Sequence, residues 1–208
     1  MRNLLIFGDN QFAERISKYI ILEGRDKLLG FTQERQFISR NNINGYPVIP
    51  FEELRMVVSD DFEIILGIGY AQLNAIREKV FHKCKNIGYK IANYISTRAM
   101  CYSDNIGDGN FISPGVLIGP DCIIGDGNFL ASCAILSHDN KIGNYNFIST
   151  NVVFGGFANV EDRCFFGLNS TVKDNVTIAA DNLIGSAANV LKSISYRGGY
   201  MWEILPFH

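Results

Sequence analysis

The chain has 208 residues, of which 47% are hydrophobic, so it can bury the core of one large domain or two small ones. Its 19 basic and 21 acidic residues exclude the broad positive field that recruits nucleic acid. Five cysteines without a Cys-x-x-Cys pair fit neither a disulfide framework nor a zinc site. The apolar stretch over residues 1–7 is too short for a signal peptide or a membrane span, so we expect a cytoplasmic protein without membrane insertion.

Residues 1–97 alternate between strand and helix patterns, which predicts a small α/β domain of the Rossmann-like β-α-β type. Apolar runs predict buried strands over residues 4–7, 28–31 and 63–66. Apolar residues spaced by three and four predict amphipathic helices over residues 12–22 and 73–87. Glycine and two prolines within residues 43–50 predict a turn-rich linker between the two parts of this domain.

A period of six residues dominates the chain beyond residue 100. Fifteen consecutive positions in this frame carry a large apolar side chain: Ile106, Ile112, Ile118, Ile124, Leu130, Leu136, Ile142, Ile148, Phe154, Val160, Phe166, Val172, Ile178, Ile184 and Val190. By chance such a run has a probability of about 10⁻⁴ over the six possible frames. A single hexad cannot bury its apolar face, whereas stacked copies share one core, so the pattern predicts a hexapeptide-repeat parallel β-helix.

The hexads also predict how the coils stack. Three hexads per coil would place residue n beneath residue n + 18, with adjacent coils about 4.8 Å apart. The residue four places after each large apolar one is small or of modest size, which predicts that both point inward. Glycine often follows the large apolar residue, as at Gly119 and Gly155, and we interpret this as a need for conformational freedom in tight turns.

Several segments resemble one family closely. In the C-terminal half these are Ser-His-Asp-Asn-Lys-Ile-Gly at residues 137–143 and Phe-Gly-Leu-Asn-Ser-Thr-Val at residues 166–172. In the N-terminal half they are the strand into Gly8, residues 29–31, residues 45–48 and the turn at residues 69–70. With the unbroken hexads, they make the chain resemble the hexapeptide-repeat sugar acyltransferases, related to sialic acid O-acetyltransferase and to the N-acetyltransferases of nucleotide-linked amino-deoxysugars.

This resemblance implies a domain plan and an assembly. Residues 1–97 would form a nucleotide-sugar-binding α/β domain, and residues 98–208 a left-handed β-helix acyltransferase domain with a C-terminal tail. The family implies a homotrimer with active sites between neighbouring subunits, and acetyl-CoA or another acyl-CoA as cosubstrate. The usual Gly-Asn-Pro-Ala turn after the last coil is absent here, which leaves the acyl chain length open.

The candidate catalytic residues are His138, Asp139 and Gly156. His138 is the one histidine of three that falls in the solenoid, at an outward-facing corner position, and imidazole is a suitable base near neutral pH. The alternative is a histidine on a solvated corner. The family uses a neighbouring carboxylate to orient the imidazole, which Asp139 matches, although it could instead contact the substrate amine. Gly156, eighteen residues after His138, would offer its N–H to the acyl oxygen, or merely satisfy a turn.

The resemblance also implies residues that bind the two substrates. Along the groove between subunits, the positions that match the coenzyme A contacts, besides Gly156, are Leu168, Gly185, Ser186 and Ala187, with Lys173 and Lys192 as weaker candidates. For the nucleotide-linked acceptor, the candidates are Gly8, Asn10, Gly69 and Tyr70, which could equally be plain turn residues. Asn10 and Ala13 stand where dinucleotide binders prefer glycine, which argues against a nicotinamide cofactor.

The sequence therefore predicts acyl transfer, most simply of acetyl, from acyl-CoA to the amino group of a nucleotide-linked amino-deoxysugar in the biosynthesis of surface glycans such as lipopolysaccharide. A sugar O-acetyltransferase is the close alternative, and a noncatalytic sugar-binding scaffold is the alternative of another class. Carbonic anhydrases of the same solenoid need three histidine ligands, and one solenoid histidine cannot supply them. No metal is expected.

Overall fold

The computed structural model describes residues 1–58 and 61–201, and it has an N-terminal α/β domain followed by a β-helix. The elements of the first domain are β1 (Asn3–Phe7), α1 (Gln11–Glu23), β2 (Lys27–Gln33), β3 (Asn42–Ile43), β4 (Tyr46–Pro50), α2 (Leu54–Val57), β5 (Glu63–Leu66) and α3 (Ala75–Ile87), with single 3₁₀ turns at Arg35–Phe37 and Phe51–Glu53. The sheet order is β3-β4-β2-β1-β5, and every pair except β3–β4 is parallel. The three predicted strands and two predicted helices are thus confirmed within a few residues.

The predicted turn-rich linker over residues 43–50 is wrong, because most of it is strand β4. Val48 pairs with Phe31 of β2, and Tyr46 pairs with Ile43 across a short hairpin. Strand β4 tolerates its two prolines because its other neighbour, β3, has only two residues and closes the edge of the sheet. The N-terminal domain therefore has a single five-stranded sheet, and residues 43–50 belong to it.

The β-helix consists of two-residue strands arranged on three flat faces. The aromatic face contains β6 (Tyr94–Ile95), β8 (Phe111–Ile112), β11 (Phe129–Leu130), β14 (Phe147–Ile148), β17 (Phe165–Phe166), β20 (Leu183–Ile184) and β22 (Tyr200–Met201). The middle face contains β7 (Met100–Cys101), β9 (Leu117–Ile118), β12 (Ile135–Leu136), β15 (Val153–Phe154), β18 (Thr171–Val172) and β21 (Asn189–Val190). The third face contains β10 (Ile123–Ile124), β13 (Lys141–Ile142), β16 (Asn159–Val160) and β19 (Thr177–Ile178). The ladder begins at Tyr94, slightly before the predicted boundary after residue 97.

The eighteen-residue register is confirmed in every coil that pairs. Leu136, for example, lies directly between Ile118 and Phe154 on the middle face. From Ile112 to Val190 the large apolar residues of the six-residue frame are all at most 2% exposed, and only the first, Ile106, is partly exposed. The residues four places later are buried as well, so both inward positions of each hexad fill one continuous core.

The glycines that follow the large apolar residues have a different role from the predicted one. Gly119 and Gly155 do not have positive φ; within each turn the left-handed residue comes two places later, as at Asp121 and Phe157. A Cβ on Gly119 would lie 2.2 Å from the carbonyl oxygen of Ser137 in the next coil. Close approach of neighbouring coils, rather than backbone freedom, therefore favours glycine at these positions.

Buried asparagines tie consecutive coils together at the corner between the third and aromatic faces. The side-chain oxygen of Asn128 accepts the N–H of Asn146 at 2.8 Å, and its amide nitrogen donates to the carbonyls of Gly125 and Gly143 at 3.1 and 2.9 Å. Asn110 makes the same contacts one coil earlier, accepting the N–H of Asn128 at 2.8 Å. The ladder satisfies backbone groups that the tight corner removes from water.

Replacing Asn128 with leucine is expected to lower the free energy of unfolding by about 2–4 kcal/mol, because it leaves several buried backbone groups unpaired at once. Asn151→Gly is the matched control, since Asn151 bonds Asn169 at an exposed corner and glycine accepts its left-handed backbone without strain. Its cost should stay within about 0.5 kcal/mol. Denaturant unfolding followed by circular dichroism measures both, and equal losses in the two variants would contradict the role of the buried ladder.

An aromatic ladder joins the two domains. Tyr94, Phe111, Phe129, Phe147 and Phe165 project outward from the aromatic face in one stack, with neighbouring ring centroids 4.5 to 5.6 Å apart and planes within 21° of parallel. The N-terminal domain covers this stack with aromatic side chains of its own: Tyr19 contacts Phe111, Phe12 contacts Phe129 and Phe147, and Tyr70 contacts Phe147 and Phe165. The stack therefore fixes which face of the β-helix receives the α/β domain.

Candidate active site

His138 projects from the corner between the middle and third faces, which we call the histidine corner (residues 137–140, 155–158 and 173–176). Its side chain is 54% exposed, and its Nδ1 lies 2.9 Å from Oδ2 of Asp139. A carboxylate at Nδ1 keeps that nitrogen protonated and leaves Nε2 as the acceptor for a substrate proton. The geometry therefore favours the orienting role of Asp139 over direct contact with the substrate amine.

The backbone of this corner explains how adjacent residues can contact each other. Asp139 adopts a left-handed conformation, with φ of 56°, and its N–H donates to the carbonyl of Pro120 one coil earlier at 3.0 Å. The buried Asn140 side chain donates to the carbonyls of His138 and Gly155 at 3.1 and 2.7 Å. The turn thus brings the carboxylate back toward the imidazole, where an extended strand would separate the two side chains.

Gly156 lies one coil beyond His138, as the register predicts. A Cβ on Gly156 would lie 2.5 Å from Cε1 and 2.7 Å from Nε2 of the imidazole. The missing side chain of Gly156 therefore makes room for the imidazole itself. Within residues 1–58 and 61–201, no acceptor is hydrogen-bonded to the Gly156 N–H, so its proposed role as donor to the acyl oxygen stays a prediction.

Four of the predicted coenzyme A residues lie together at another corner, between the aromatic and middle faces, whereas Gly156 and the weaker candidate Lys173 lie at the histidine corner. Leu168 is 53% exposed, and the N–H of Ala187 in the next coil donates to its carbonyl at 2.8 Å. Ser186 and Ala187 are exposed beside it, whereas Gly185 is buried. Within one chain the middle face separates this corner from His138, so a single subunit does not bring the two predicted groups together.

A cavity of about 410 Å³ is lined by one predicted acceptor residue, Tyr70, and by two of the predicted coenzyme A residues. It lies between α1, the turn at Tyr70 and the aromatic ladder, and it extends to Leu168 and Ser186. Arg15 supplies a cation, and Ser132, Ser149 and Thr150 supply hydroxyl groups. Sequence reasoning missed these polar residues because no motif links α1 to the β-helix; only the docking of the two domains places them together.

The other predicted acceptor residues do not line this cavity. The Asn10 side chain accepts the N–H groups of Phe12 and Ala13 at 2.9 and 3.0 Å, which makes it the N-cap of α1. Gly8 has φ of 126°, and a Cβ there would lie 2.7 Å from the carbonyl oxygen of Gly67. A Cβ on Gly69 would have no neighbouring atom within 4 Å. Asn10 and Gly8 thus have structural roles, and Tyr70 is the one member of the set that lines the cavity.

A buried arginine supports the turn that carries Tyr70. The Arg77 side chain is fully buried, donates to the carbonyl of Ile68, and lies 5.8 and 6.0 Å from the ring centroids of Phe129 and Phe147. Burial lowers the pKa of its guanidinium to about 9. The sequence interpretation did not consider Arg77. The phenylalanines, however, carried a usable signal, since they recur every eighteen residues from Phe111 to Phe165.

Within residues 1–58 and 61–201, no group of three or more histidine, cysteine, aspartate or glutamate side chains could hold a metal ion. In the same ranges, no helix has the length and apolar character needed to cross a bilayer.

Two family models match the chain. Residues 3–84 match the PglD N-terminal domain, and residues 105–138 match the bacterial transferase hexapeptide (six repeats). These matches confirm the resemblance to the hexapeptide-repeat sugar acyltransferases: the chain joins an N-terminal domain of the PglD type to a transferase hexapeptide repeat.

Solved structures agree over nearly the whole chain. PerB from Caulobacter crescentus, in complex with CoA and GDP-perosamine, is 23% identical with a TM-score of 0.81, covering 93% of this chain and 91% of its own. The acetyltransferase domain of PglB from Neisseria gonorrhoeae, in complex with acetyl coenzyme A, is 18% identical with a TM-score of 0.77, covering 91% and 92%. A variant of perosamine N-acetyltransferase from Caulobacter crescentus in which asparagine replaces a histidine, in complex with CoA and GDP-perosamine, is 20% identical with a TM-score of 0.68. The match covers 96% of this chain and 91% of that one. At these identities the similarity establishes the fold, which is an α/β domain followed along the chain by a left-handed β-helix.

Proposed function

We propose that this protein transfers an acyl group, most simply acetyl, from acyl-CoA to the amino group of a nucleotide-linked amino-deoxysugar. The observation that supports this best is the histidine corner, where an exposed imidazole is held at Nδ1 by Asp139 and packs on Gly156 one coil away. Such a group can act as a general base toward a bound nucleophile. The sugar product would enter the synthesis of a surface glycan.

The proposed reaction needs one proton acceptor and one oxyanion donor. The acceptor nitrogen attacks the thioester carbon while Nε2 of His138 takes its proton, and the Gly156 N–H stabilises the negative oxygen of the tetrahedral intermediate. The C–S bond then breaks, and the protonated imidazole returns the proton to the thiolate to release CoA. Asp139 stabilises the imidazolium that exists between these two transfers.

The cavity beside the aromatic ladder suits the acceptor. Tyr70 can stack on a nucleobase, Arg15 can pair with a diphosphate, and the hydroxyl groups of Ser132 and Thr150 can bond a sugar. The PerB structure, which binds CoA and GDP-perosamine together, has the same fold and supports this pairing of substrates. The acetyl coenzyme A bound to the PglB domain supports acetyl as the acyl group.

A homotrimer would complete the proposed site. Leu117, Ile135 and Val153 form an outward apolar ladder on the middle face, and each is partly exposed in the single chain. Association over this face around a threefold axis would bring the histidine corner of one subunit near Leu168 and Ser186 of the next. A monomer in sedimentation equilibrium would contradict a shared site.

The test is release of free thiol from acetyl-CoA in the presence of UDP-, dTDP- and GDP-linked 4-amino sugars. We expect turnover that depends on the acceptor, with an amide product identified by mass spectrometry. Turnover with free sialic acid and no nucleotide-linked sugar would instead support the O-acetyltransferase, and sugar binding without thiol release would support the noncatalytic scaffold. Either result would overturn the proposal.

A further inference from the structure

Phe157 is an exposed aromatic residue beside the candidate base. Its side chain is one coil away from Asp139, its φ is 59°, and the residue is 54% exposed. Its ring centroid lies 5.2 Å from that of the His138 imidazole, with the two planes at 86°. A bulky aromatic residue in the left-handed region is strained, and its exposed ring gains nothing from burial.

The equivalent positions in other coils show that the fold does not require an aromatic residue there. At the same position in neighbouring coils the left-handed residues are Asp121, Asp139 and Asn175, whose side chains tolerate this conformation. At the corner between the third and aromatic faces, Tyr145 and Arg163 are also bulky and left-handed, but both contact the N-terminal domain.

Those contacts account for Tyr145 and Arg163. Tyr145 is 5% exposed and packs on Phe81, and Arg163 pairs with Glu78 and Asp181. In the described ranges of the chain, the aromatic contact of Phe157 is with His138. The strained, exposed side chain of Phe157 is therefore explained by its contact with the candidate base and not by packing against the N-terminal domain.

We propose that Phe157 determines acceptor specificity by packing against the methyl carbon of a 6-deoxysugar whose 4-amino group is bonded to His138. This inference rests on the proposed function. A nucleophile must lie about 3 Å from Nε2 of the base. The substituents of the neighbouring sugar carbon then lie within contact range of a ring at the position of Phe157.

A phenyl ring offers no hydrogen-bond partner, so it distinguishes a methyl from a hydroxymethyl group. The hydroxyl of a 6-hydroxy sugar would lose its water against this ring, whereas a methyl group would gain apolar contact. Discrimination of about 10- to 100-fold in kcat/KM is expected from one such contact.

The test compares two acceptors with the same nucleotide, a 4-amino-4,6-dideoxyhexose and the corresponding 4-amino-4-deoxyhexose with a hydroxyl at C6. The unaltered protein should prefer the dideoxy sugar by about 10-fold or more. Phe157→Leu should keep most of this preference, and Phe157→Ser should reduce it to about 2-fold or less. Asn175→Gly, at the same corner position one coil later, is the matched control; glycine keeps the left-handed backbone, so the preference should stay unchanged.

Each contrary outcome identifies what has failed. An unchanged preference in Phe157→Ser, with both sugars turned over, overturns this inference and leaves the proposed function standing. An equal loss for both sugars assigns Phe157 to positioning His138 and overturns the specificity role, as does a change from trimer to monomer in sedimentation. Absence of turnover with either sugar in the unaltered protein overturns the proposed function and this inference together.

Discussion

Replacing His138 with alanine is expected to reduce the rate of thiol release by about 10²- to 10⁴-fold with every acceptor. The physical reason is that the variant leaves the histidine corner with carboxylates such as Asp139 and Asp174, which are weaker bases near neutral pH than an imidazole, to take the proton from the attacking nitrogen. Because the His138 side chain is 54% exposed, its removal should change the melting temperature little. Single-turnover thiol release at saturating substrate measures the chemical step directly.

His82→Ala is the control for this experiment. His82 is exposed on α3, and its Nε2 lies 3.3 Å from the hydroxyl of Tyr145. Tyr145 lies at the corner between the third and aromatic faces, which is a different corner from that of His138. Its substitution should leave the rate within about 2-fold, as expected for a surface change outside the site. The rate of thiol release of Asp139→Asn should lie between those of His138→Ala and His82→Ala, because the substitution keeps the side-chain shape but removes the charge opposite the imidazolium. Unchanged turnover in His138→Ala would remove the general-base mechanism.

Substituting Gly156 with alanine is expected to reduce turnover by about 100-fold or more while leaving the fold intact. The added Cβ would lie within 2.7 Å of two atoms of the imidazole, so the exposed ring must rotate away from its place. Displacing a catalytic group by about 1 Å can by itself cost about 10²-fold in rate. Since the ring is free to move toward solvent, the clash is relieved without moving the backbone.

Gly155→Ala is the matched control, because it should lower the stability of the fold, whereas Gly156→Ala should lower turnover and leave the fold intact. A Cβ on Gly155 would lie 2.6 Å from the backbone nitrogen of Asp174, which can move only if the next coil moves. Such overpacking is expected to lower the free energy of unfolding by about 1–3 kcal/mol. Thermal unfolding and thiol release should therefore separate the neighbouring glycines. A Gly156→Ala protein with full activity would show that the imidazole does not need its observed position.

The period of six determined much of this protein from sequence alone. A repeat that must bury two side chains per hexad allows one register, so the stacking of His138 on Gly156 followed directly from counting eighteen residues. The outward position of His138 followed from the same frame. In the N-terminal domain, the strands at residues 4–7 and 63–66 were predictable because a fully buried strand needs a continuous apolar run.

Only the tertiary structure decided how the two domains meet and what surrounds the candidate base. An outward-facing phenylalanine such as Phe129 does not identify its partner in the sequence, because apolar contact has no direction; the partner, Phe12, lies over a hundred residues away. The cavity beside Tyr70 exists because of that docking. Likewise, whether Asp139 contacts its neighbour depended on a left-handed turn whose geometry is set by the coils on either side; the tolerance of aspartate for this conformation permits the turn but does not fix the contact.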